Sequence, residues 1–357
     1  MTTQSTHHAS RDTRHQWLLI DTLGPHEHTV VGVGDTSRRA TPLQKFLRGS
    51  HRTAALDAVR SASDTGRRHD VTAGRKRVTA EPILDHRGRT RAVWLLISPV
   101  EEASAAPPSA HAFEWNLTRG TAITMAAPHH GRQRTVADAI EPHDLGVDAA
   151  PALGHLVAAH ADTAVQLTTV KATADHAQRR VNVTGRIRLD RATGDRVFHG
   201  LSHDLGPSPL PPQSAATHLS DLIVHSLLRP QEHLAIVDPA TLMLLVWHTA
   251  PPPGLAWRSI ATKARPVIHP EDLPCARLLA TAVQQPAATA RTPETIRLLH
   301  ETGHYEKYEI RAAPLPLGAK ARAALVTVRR VGEVGAGSSA DVVLYDNTFP
   351  TAAYCSP

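Results

Sequence analysis

Apolar positions recur along this chain in the same order three times: two short runs, an interval with helical spacing, then three longer runs. Trp17-Leu18-Leu19-Ile20-Asp21 and Thr29-Val30-Val31-Gly32-Val33-Gly34, separated at Gly24-Pro25, predict two strands joined by a turn. Ala112 to Leu117 and Thr121 to Met125 repeat that hairpin across Thr118-Arg119-Gly120, and His233 to Pro239 with Met243 to Trp247 gives a third version. Helix signals follow. Ser50 is placed to cap a helix carrying Ala54, Leu56 and Val59 that ends near Gly66. Ala150 to His160 sets Leu153, Leu156, Val157 and His160 at helical spacing, with Pro151 tolerated in the first turn. Asp272 is placed to cap Leu273 to Val283, which Pro286 stops, and one more apolar-rich helix is expected over Leu219 to Leu228.

The strand triplets predicted after these helices are His69 to Ala73, Arg77 to Leu84 and Arg91 to Ser98; Val165 to Val170, Arg179 to Leu189 and Arg196 to Leu205; and Thr295 to Leu299, His304 to Ala313 and Arg322 to Arg330. Ala92 to Ile97 is apolar on both faces and predicts a central strand. Arg179 to Leu189 alternates, with Val181, Val183, Ile187 and Leu189 on one face and Asn182, Thr184, Arg186 and Arg188 on the other, so one face is expected in the core and one in water. Asp85-His86-Arg87-Gly88 and Asp190 to Asp195 occupy matching places as tight turns. A short motif also recurs: Ile140-Glu141-Pro142-His143-Asp144-Leu145 and Ile268-His269-Pro270-Glu271-Asp272-Leu273.

With 357 residues the chain exceeds one ordinary core, and domains of about 100 to 150 residues divide it into two or three. The pattern gives three, over residues 13–102, 109–207 and 217–331, joined by the Ala, Pro and Ser-rich Glu101 to Ala110 and the proline-rich Pro207 to Gln213. Residues 1–12 are expected to be disordered and 332–357 a loosely ordered tail. Aromatic residues make up only 4%, so the cores rest on Leu, Val, Ile and Ala. No run approaches the roughly 18 apolar residues of a membrane span, and the N-terminus lacks an apolar signal core, so a cytoplasmic location without membrane association is expected. Cys275 and Cys355 form no Cys-x-x-Cys pair and read as inert thiols. The net charge of +6 could attract nucleic acid, but only six of 39 basic residues are lysines and the arginines run through every segment, as a compositional bias would place them. The 24 histidines carry the same discount.

No residue set demands chemistry. Gly32-x-Gly34 lacks the third glycine and following acidic residue of a nucleotide loop. Ser202-His203-Asp204 has the residue types of a hydrolase triad, yet neighbours on a strand point to opposite faces. His129-His130 lacks the i, i+4 spacing that converges on one ion, and no His-Glu-x-x-His occurs. Neither a catalytic residue nor a metal ligand is assigned, no cofactor is expected, and no ligand-binding residue is named.

The succession of hairpin, helical middle, Ile-His-Pro-Glu-Asp, helix and three strands resembles the PAS fold, and His199-Gly200-Leu201-Ser202-His203-Asp204-Leu205 resembles the Gly-Ile-x-x-Asp-Ile close of many PAS domains. The opening His15 to Gly24 and the three-module length are similar to an actinobacterial family of cytoplasmic triple sensor-domain proteins, ordered PAS, GAF-like, PAS. The resemblance implies an α+β fold of three tandem PAS/GAF-like modules, each a five- or six-stranded antiparallel sheet with short helices on one face. The Asn-Cys-Arg-Phe flavin motif is missing, so no light-driven cysteine chemistry is implied. A heme-binding PAS domain would need a helical histidine, for which His155 and His160 are the positions to inspect.

The leading expectation is a non-enzymatic sensory or scaffold protein that binds a small molecule, protein partners or both, with output through a separate protein; a homodimer is compatible with this. The alternatives are nucleic-acid binding through basic sheet faces that include Arg186 and Arg188, and an enzyme with a histidine-based site.

Overall fold

The computed structural model describes residues 16–24, 28–103, 105–126, 129–145, 149–158, 162–173, 177–208, 226, 228–260, 266–285, 293–318 and 321–332. The expected disordered segment 1–12, the tail beyond 332, and the helix expected over 219–228, apart from residues 226 and 228, lie outside them, as do His160, Pro286 and Cys355.

Three antiparallel sheets follow one another along the chain. The first contains β1 (Leu18–Asp21), β2 (Thr29–Val33), β3 (Thr36–Pro42), β4 (His69–Ala73), β5 (Lys76–Leu84) and β6 (Thr90–Pro99), with α1 (Leu43–Phe46) and α2 (Arg52–Thr65) between β3 and β4. The second contains β7 (Ala110–Asn116), β8 (Thr121–Thr124), β9 (Gln133–Thr135), β10 (His143–Asp144), β11 (Thr163–Ala172), β12 (Gln178–Leu189) and β13 (Arg196–Pro207), with α3 (Val136–Ile140) and α4 (Ala149–Ala158). The third contains β14 (Glu232–Asp238), β15 (Met243–Trp247), β16 (Glu294–Leu299), β17 (Tyr305–Pro316) and β18 (Arg322–Arg330), with α5 (Leu273–Gln284) entered through a 3-10 turn at Pro270–Asp272.

Across the sheets the strands lie in the orders β3-β2-β1-β6-β5-β4, β10-β11-β12-β13-β7-β8-β9 and β15-β14-β18-β17-β16. Each therefore contains the same five-strand core, in which the first and last strands of the module pair at the centre. The additions are edge strands with little apolar signal: β3 is Thr-Ser-Arg-Arg-Ala-Thr-Pro and largely exposed, while β9 and β10 have three and two residues. They make the second sheet seven-stranded rather than five- or six-stranded.

Local chemistry repeats as well. The residue ending each module's first strand closes an Asx turn: Asp21 Oδ1 accepts from the Leu23 amide at 2.8 Å, Asn116 Oδ1 from Arg119 at 2.8 Å, and Asp238 Oδ1 from Ala240 at 3.0 Å. At the Asp85 turn, the carboxylate accepts from the amides of Arg87 and Arg89, and Gly88 has φ 73°, a conformation that favours glycine. Helix α2 ends at Gly66 with φ 64°, but its cap residue is His51 rather than Ser50, and no side chain caps it. Asp272 likewise makes no capping bond. Its carboxylate receives the Arg297 amide at 2.7 Å and the guanidinium at 2.8 and 2.9 Å, tying the helix entry to β16.

β6 is central and buried on both faces. Val93 and Leu95 pack under α2 with Ala55 and Val59, while Ala92, Trp94 and Leu96 meet Trp17, Leu19 and, from the second module, Ala112 and Leu201. The polar face of β12 is not wet, because the first module covers it. Asn182 and Thr184 are buried, Arg186 lies 4.0 Å from Asp21, and Arg188 donates to the Leu23 carbonyl. The two arginines named as a basic sheet face are thus held at the junction of two modules. A further core cluster runs between the second and third modules, where Met243, Leu245, Leu317 and Ala323 join Phe113, Leu153 and Phe198.

Candidate functional site

A cavity of about 750 Å³ lies between the third sheet and α5. Its floor includes Ala235 and Val237 of β14 and Ala324 of β18, its roof Leu279 and Ala280 of α5, and the Thr118 to Thr121 turn of the second module contributes to its wall. The lining is mainly apolar, so the space favours an apolar guest. Trp247 lines the cavity as well; its Nε1 is buried and has no hydrogen-bond partner among the described residues. Leaving an N–H unpaired is unfavourable, and a guest acceptor that reached it would be favoured. Arg258, just beyond the cavity wall, lies 4.4 Å above the Trp257 ring and reaches Asp138 at 3.1 Å and Glu141 at 2.6 Å, joining the third module to α3 and the first motif copy.

The second module has a much smaller space at the corresponding place, about 60 Å³, walled by Phe113, Trp115 and Phe198. Their ring centroids lie 5.0 to 5.7 Å apart. Beside them, His143 Nδ1 is 2.9 Å from Thr169 Oγ1. Burial first, then the charges of Lys171 and Arg134, push its pKa down to about 3, so the ring stays neutral.

The two motif copies take equivalent positions. His143 and Asp144 pair with Lys171 and Val170 on β11, and Ile268 bridges to Leu298 on β16, so both copies run beside the third core strand of their module. Their conformations differ: the first is a short strand, whereas in the second the His269 ring accepts from the Glu271 amide and opens a 3-10 turn.

The other sequence candidates disperse. Ser202 lines the small space of the second module, His203 is fully buried on the opposite face with Nε2 2.8 Å from the Gly34 carbonyl oxygen, and Asp204 binds Arg179 at 2.6 Å. Gly32 is needed for that packing, because a Cβ there would stand 2.9 Å from the His203 ring. His155 is exposed on the outer side of α4, away from Leu153 and Leu156, so it is not an axial heme ligand inside this module. His129 and His130 lie in the loop before β9. Burial, then the charge of Glu294, raises the Cys275 thiol above its ordinary pKa, which keeps it unreactive.

Two features went unnamed at the sequence level. The small residues Ala235, Val237 and Ala324 make the large cavity, and laying the three opening hairpins side by side would have exposed the substitution of Phe113 and Trp115 by Ala235 and Val237. His300, His304 and Glu306 gather around the β16–β17 hairpin with their ligand atoms within 4.8 Å of one another. The spacing His-x-x-x-His-x-Glu was present, but without the hairpin nothing showed that it converges.

No helix among the described residues is long and apolar enough to cross a membrane. No curated protein matches this sequence. Solved structures that align include an RNA-binding light-oxygen-voltage receptor, 10% identical over 62% of this chain and 95% of its own with a TM-score of 0.23, and the periplasmic sensory domain of the Campylobacter jejuni chemoreceptor Tlp1, 10% identical over 57% and 77% with a TM-score of 0.17. Superpositions of that quality carry no argument. A crystal structure of an uncharacterized protein from Mycobacterium tuberculosis aligns over 89% of this chain and 97% of its own, with a TM-score of 0.75 at 20% identity, and so shares the fold. Residues 16–108, which include most of the opening that resembled an actinobacterial family, match the model of the Rv3651-like N-terminal family.

Proposed function

We propose that this protein is a non-catalytic sensory or scaffold protein of three PAS/GAF-like modules, in which the third module binds a mainly apolar small molecule bearing a hydrogen-bond acceptor. The threefold strand order, with helices over the first and third sheets and between the strands of the second, supports the PAS/GAF-like reading. The observation that carries the ligand is the 750 Å³ mainly apolar cavity, whose lining includes Trp247, a residue whose buried Nε1 has no hydrogen-bond partner among the described residues. That volume falls in the range of about 300–1,000 Å³ typical of small-molecule sites. Because the second module's Thr118 to Thr121 turn forms part of the wall, a guest touches two modules and favours the arrangement in which both contacts are made. Output then passes to a protein partner, in the cytoplasm. Arg186 and Arg188 are engaged between modules, which leaves the nucleic-acid reading without the face it needs.

The test uses the full chain and 1-anilinonaphthalene-8-sulfonate, an anionic dye whose aromatic rings fluoresce in apolar surroundings. Wild type is expected to bind dye with saturable fluorescence, and Val237→Phe, which enlarges a half-buried side chain of the cavity lining, to lose that binding without losing its fold by circular dichroism. Equal binding by a folded Val237→Phe variant would sink the assignment.

A further inference from the structure

The third module carries a second constellation, separate from the cavity argument. β16 and β17 are joined by a tight loop in which the His300 amide donates to the His304 carbonyl at 2.8 Å and Gly303 donates back to His300 at 2.8 Å. This closure stacks the two imidazoles, with centroids 4.8 Å apart and planes 21° from parallel. Glu306 follows two residues after His304. Strand alternation puts it on the same face, and its Oε1 lies 3.0 Å from His304 Nε2 and 4.0 Å from His300 Nε2. One carboxylate oxygen and two ring nitrogens therefore point at a shared volume, at separations close to those between ligands of a four-coordinate ion.

The opposite ring nitrogens are also organised. Thr302 Oγ1 lies 2.7 Å from His300 Nδ1 and 2.6 Å from His304 Nδ1. A hydroxyl oxygen has two lone pairs and can accept from both rings at once. Metal binding at the Nε2 atoms would set both Nδ1 protons on that oxygen and would replace the Nε2–H donation from His304 to Glu306 that the metal-free protein makes. The Thr302 amide, 3.2 Å from His300 Nδ1, is the longer contact and gives way when that nitrogen is protonated. Gly254, with φ 74°, packs directly against the His300 ring, where a Cβ would stand 1.9 Å from Nε2 and could not be accommodated. Glu306 also binds Arg330 through Oε1 and accepts from the Tyr308 hydroxyl at 3.2 Å through Oε2. The Arg330 side chain is 56% exposed and free to move to the other lone pairs of the carboxylate.

We infer that His300, His304 and Glu306 form a binding site for a divalent transition-metal cation of the zinc type, with Thr302 fixing the ring tautomers. Two imidazoles and one carboxylate are a donor set that suits zinc and leaves a coordination position for water.

The experiment titrates metal-free full-length protein with Zn²⁺ against a chromophoric chelator, and with Co²⁺ by visible absorption. Wild type is expected to take up one tight equivalent per chain and to give Co²⁺ the absorption bands of a low-coordinate nitrogen and oxygen site. His304→Ala should abolish both signals; its side chain is 58% exposed, so the fold is retained. Thr302→Val should keep the stoichiometry and weaken binding about 10- to 100-fold, the usual effect of losing an outer-shell partner. His129→Ala with His130→Ala controls for the other histidines and should change nothing. Wild type that takes up no zinc, or a His304→Ala protein that binds as wild type does, overturns the site.

Discussion

The second and third modules have the same strand order and reach opposite outcomes over the same patch of sheet. Three register-equivalent positions account for the difference. Phe113 and Trp115 on β7 face Gly200 and Phe198 on β13; Ala235 and Val237 on β14 face Val326 and Ala324 on β18. Aromatics at three of the four positions fill the second module down to about 60 Å³, and Ala, Val and Ala leave about 750 Å³ in the third. The first module takes a third course: its equivalents, Leu18, Ile20 and Val93, are packed beneath α2 by Ala55 and Val59. The backbone thus offers a space between sheet and helices, and side-chain volume at a few inward positions decides whether it is core or binding site.

Emptying the filled module is the hardest challenge to that comparison. Phe198→Ala should destabilise the protein by about 3–5 kcal/mol, the range for a fully buried aromatic, and should give the second module a dye site of its own. Urea unfolding and dye titration measure both effects, and a loss below about 1 kcal/mol would show that the aromatic cluster is not what closes the module. Crowding the same spot comes next. A Cβ on Gly200 would lie 2.2 Å from the Phe113 ring, so Gly200→Ala should cost about 1–3 kcal/mol, whereas Val237→Phe, at a half-buried lining position where the filled module carries Trp115, should change stability by less than about 1 kcal/mol. Equal costs for the two would mean that the cavity is already filled by protein.

Much of this architecture was legible in the sequence because apolar spacing reports directly on burial. The strand predicted over His69 to Ala73 is observed at those residues, and Arg322 to Arg330 likewise, since both are runs holding β-branched residues bounded by glycines, Gly66 and Gly74 in the first case and Gly318 and Gly332 in the second. Edge strands escaped notice because β3 pairs through its backbone while its side chains face water. The polar face of β12 was misread for a related reason: alternation says that two faces differ, not that the polar one is wet, and here another module covers it. Asp272 does stand at the cap position, but its side chain makes no capping bond because Arg297, 25 residues away, offers that carboxylate a stronger partner than the helix amides do. The cavity stayed hidden because an absent side chain leaves no mark on hydropathy; Ala235 and Val237 read simply as strand.

Protonation separates the two modules further. His143 in the filled module has its pKa lowered from 6.5 to about 3, so below pH 6.5 the unfolded chain binds a proton that the native ring refuses. Its contribution to stability is flat above about pH 6.5 and falls with decreasing pH until about pH 3, at no more than about 1.4 kcal/mol per pH unit. His28, His111, His199 and His203 are also lowered, chiefly by burial, and push in the same direction. His143→Gln should therefore flatten, without abolishing, the decline in unfolding free energy between pH 6.5 and 4. An unchanged slope would place the ring in contact with solvent.

The smallest expected effect is the most specific to the open module. Trp247→Phe removes an N–H that has no hydrogen-bond partner among the described residues while keeping an aromatic ring beside the cavity. Leaving such a donor unmade is unfavourable, so the unliganded variant should be as stable as wild type or more so, by up to about 1 kcal/mol. A guest that accepts from Nε1 loses that bond in the variant, which should weaken its binding by about 0.5–1.5 kcal/mol, roughly 2- to 13-fold. The two signs oppose each other, which a general packing defect cannot reproduce, because lost packing would lower stability and affinity together. Paired measurements of thermal stability without ligand and of affinity for an acceptor-bearing guest against its hydrocarbon analogue decide the matter. If the variant discriminates between those two guests as strongly as wild type does, Trp247 is wall and not contact, and the third module selects by shape alone.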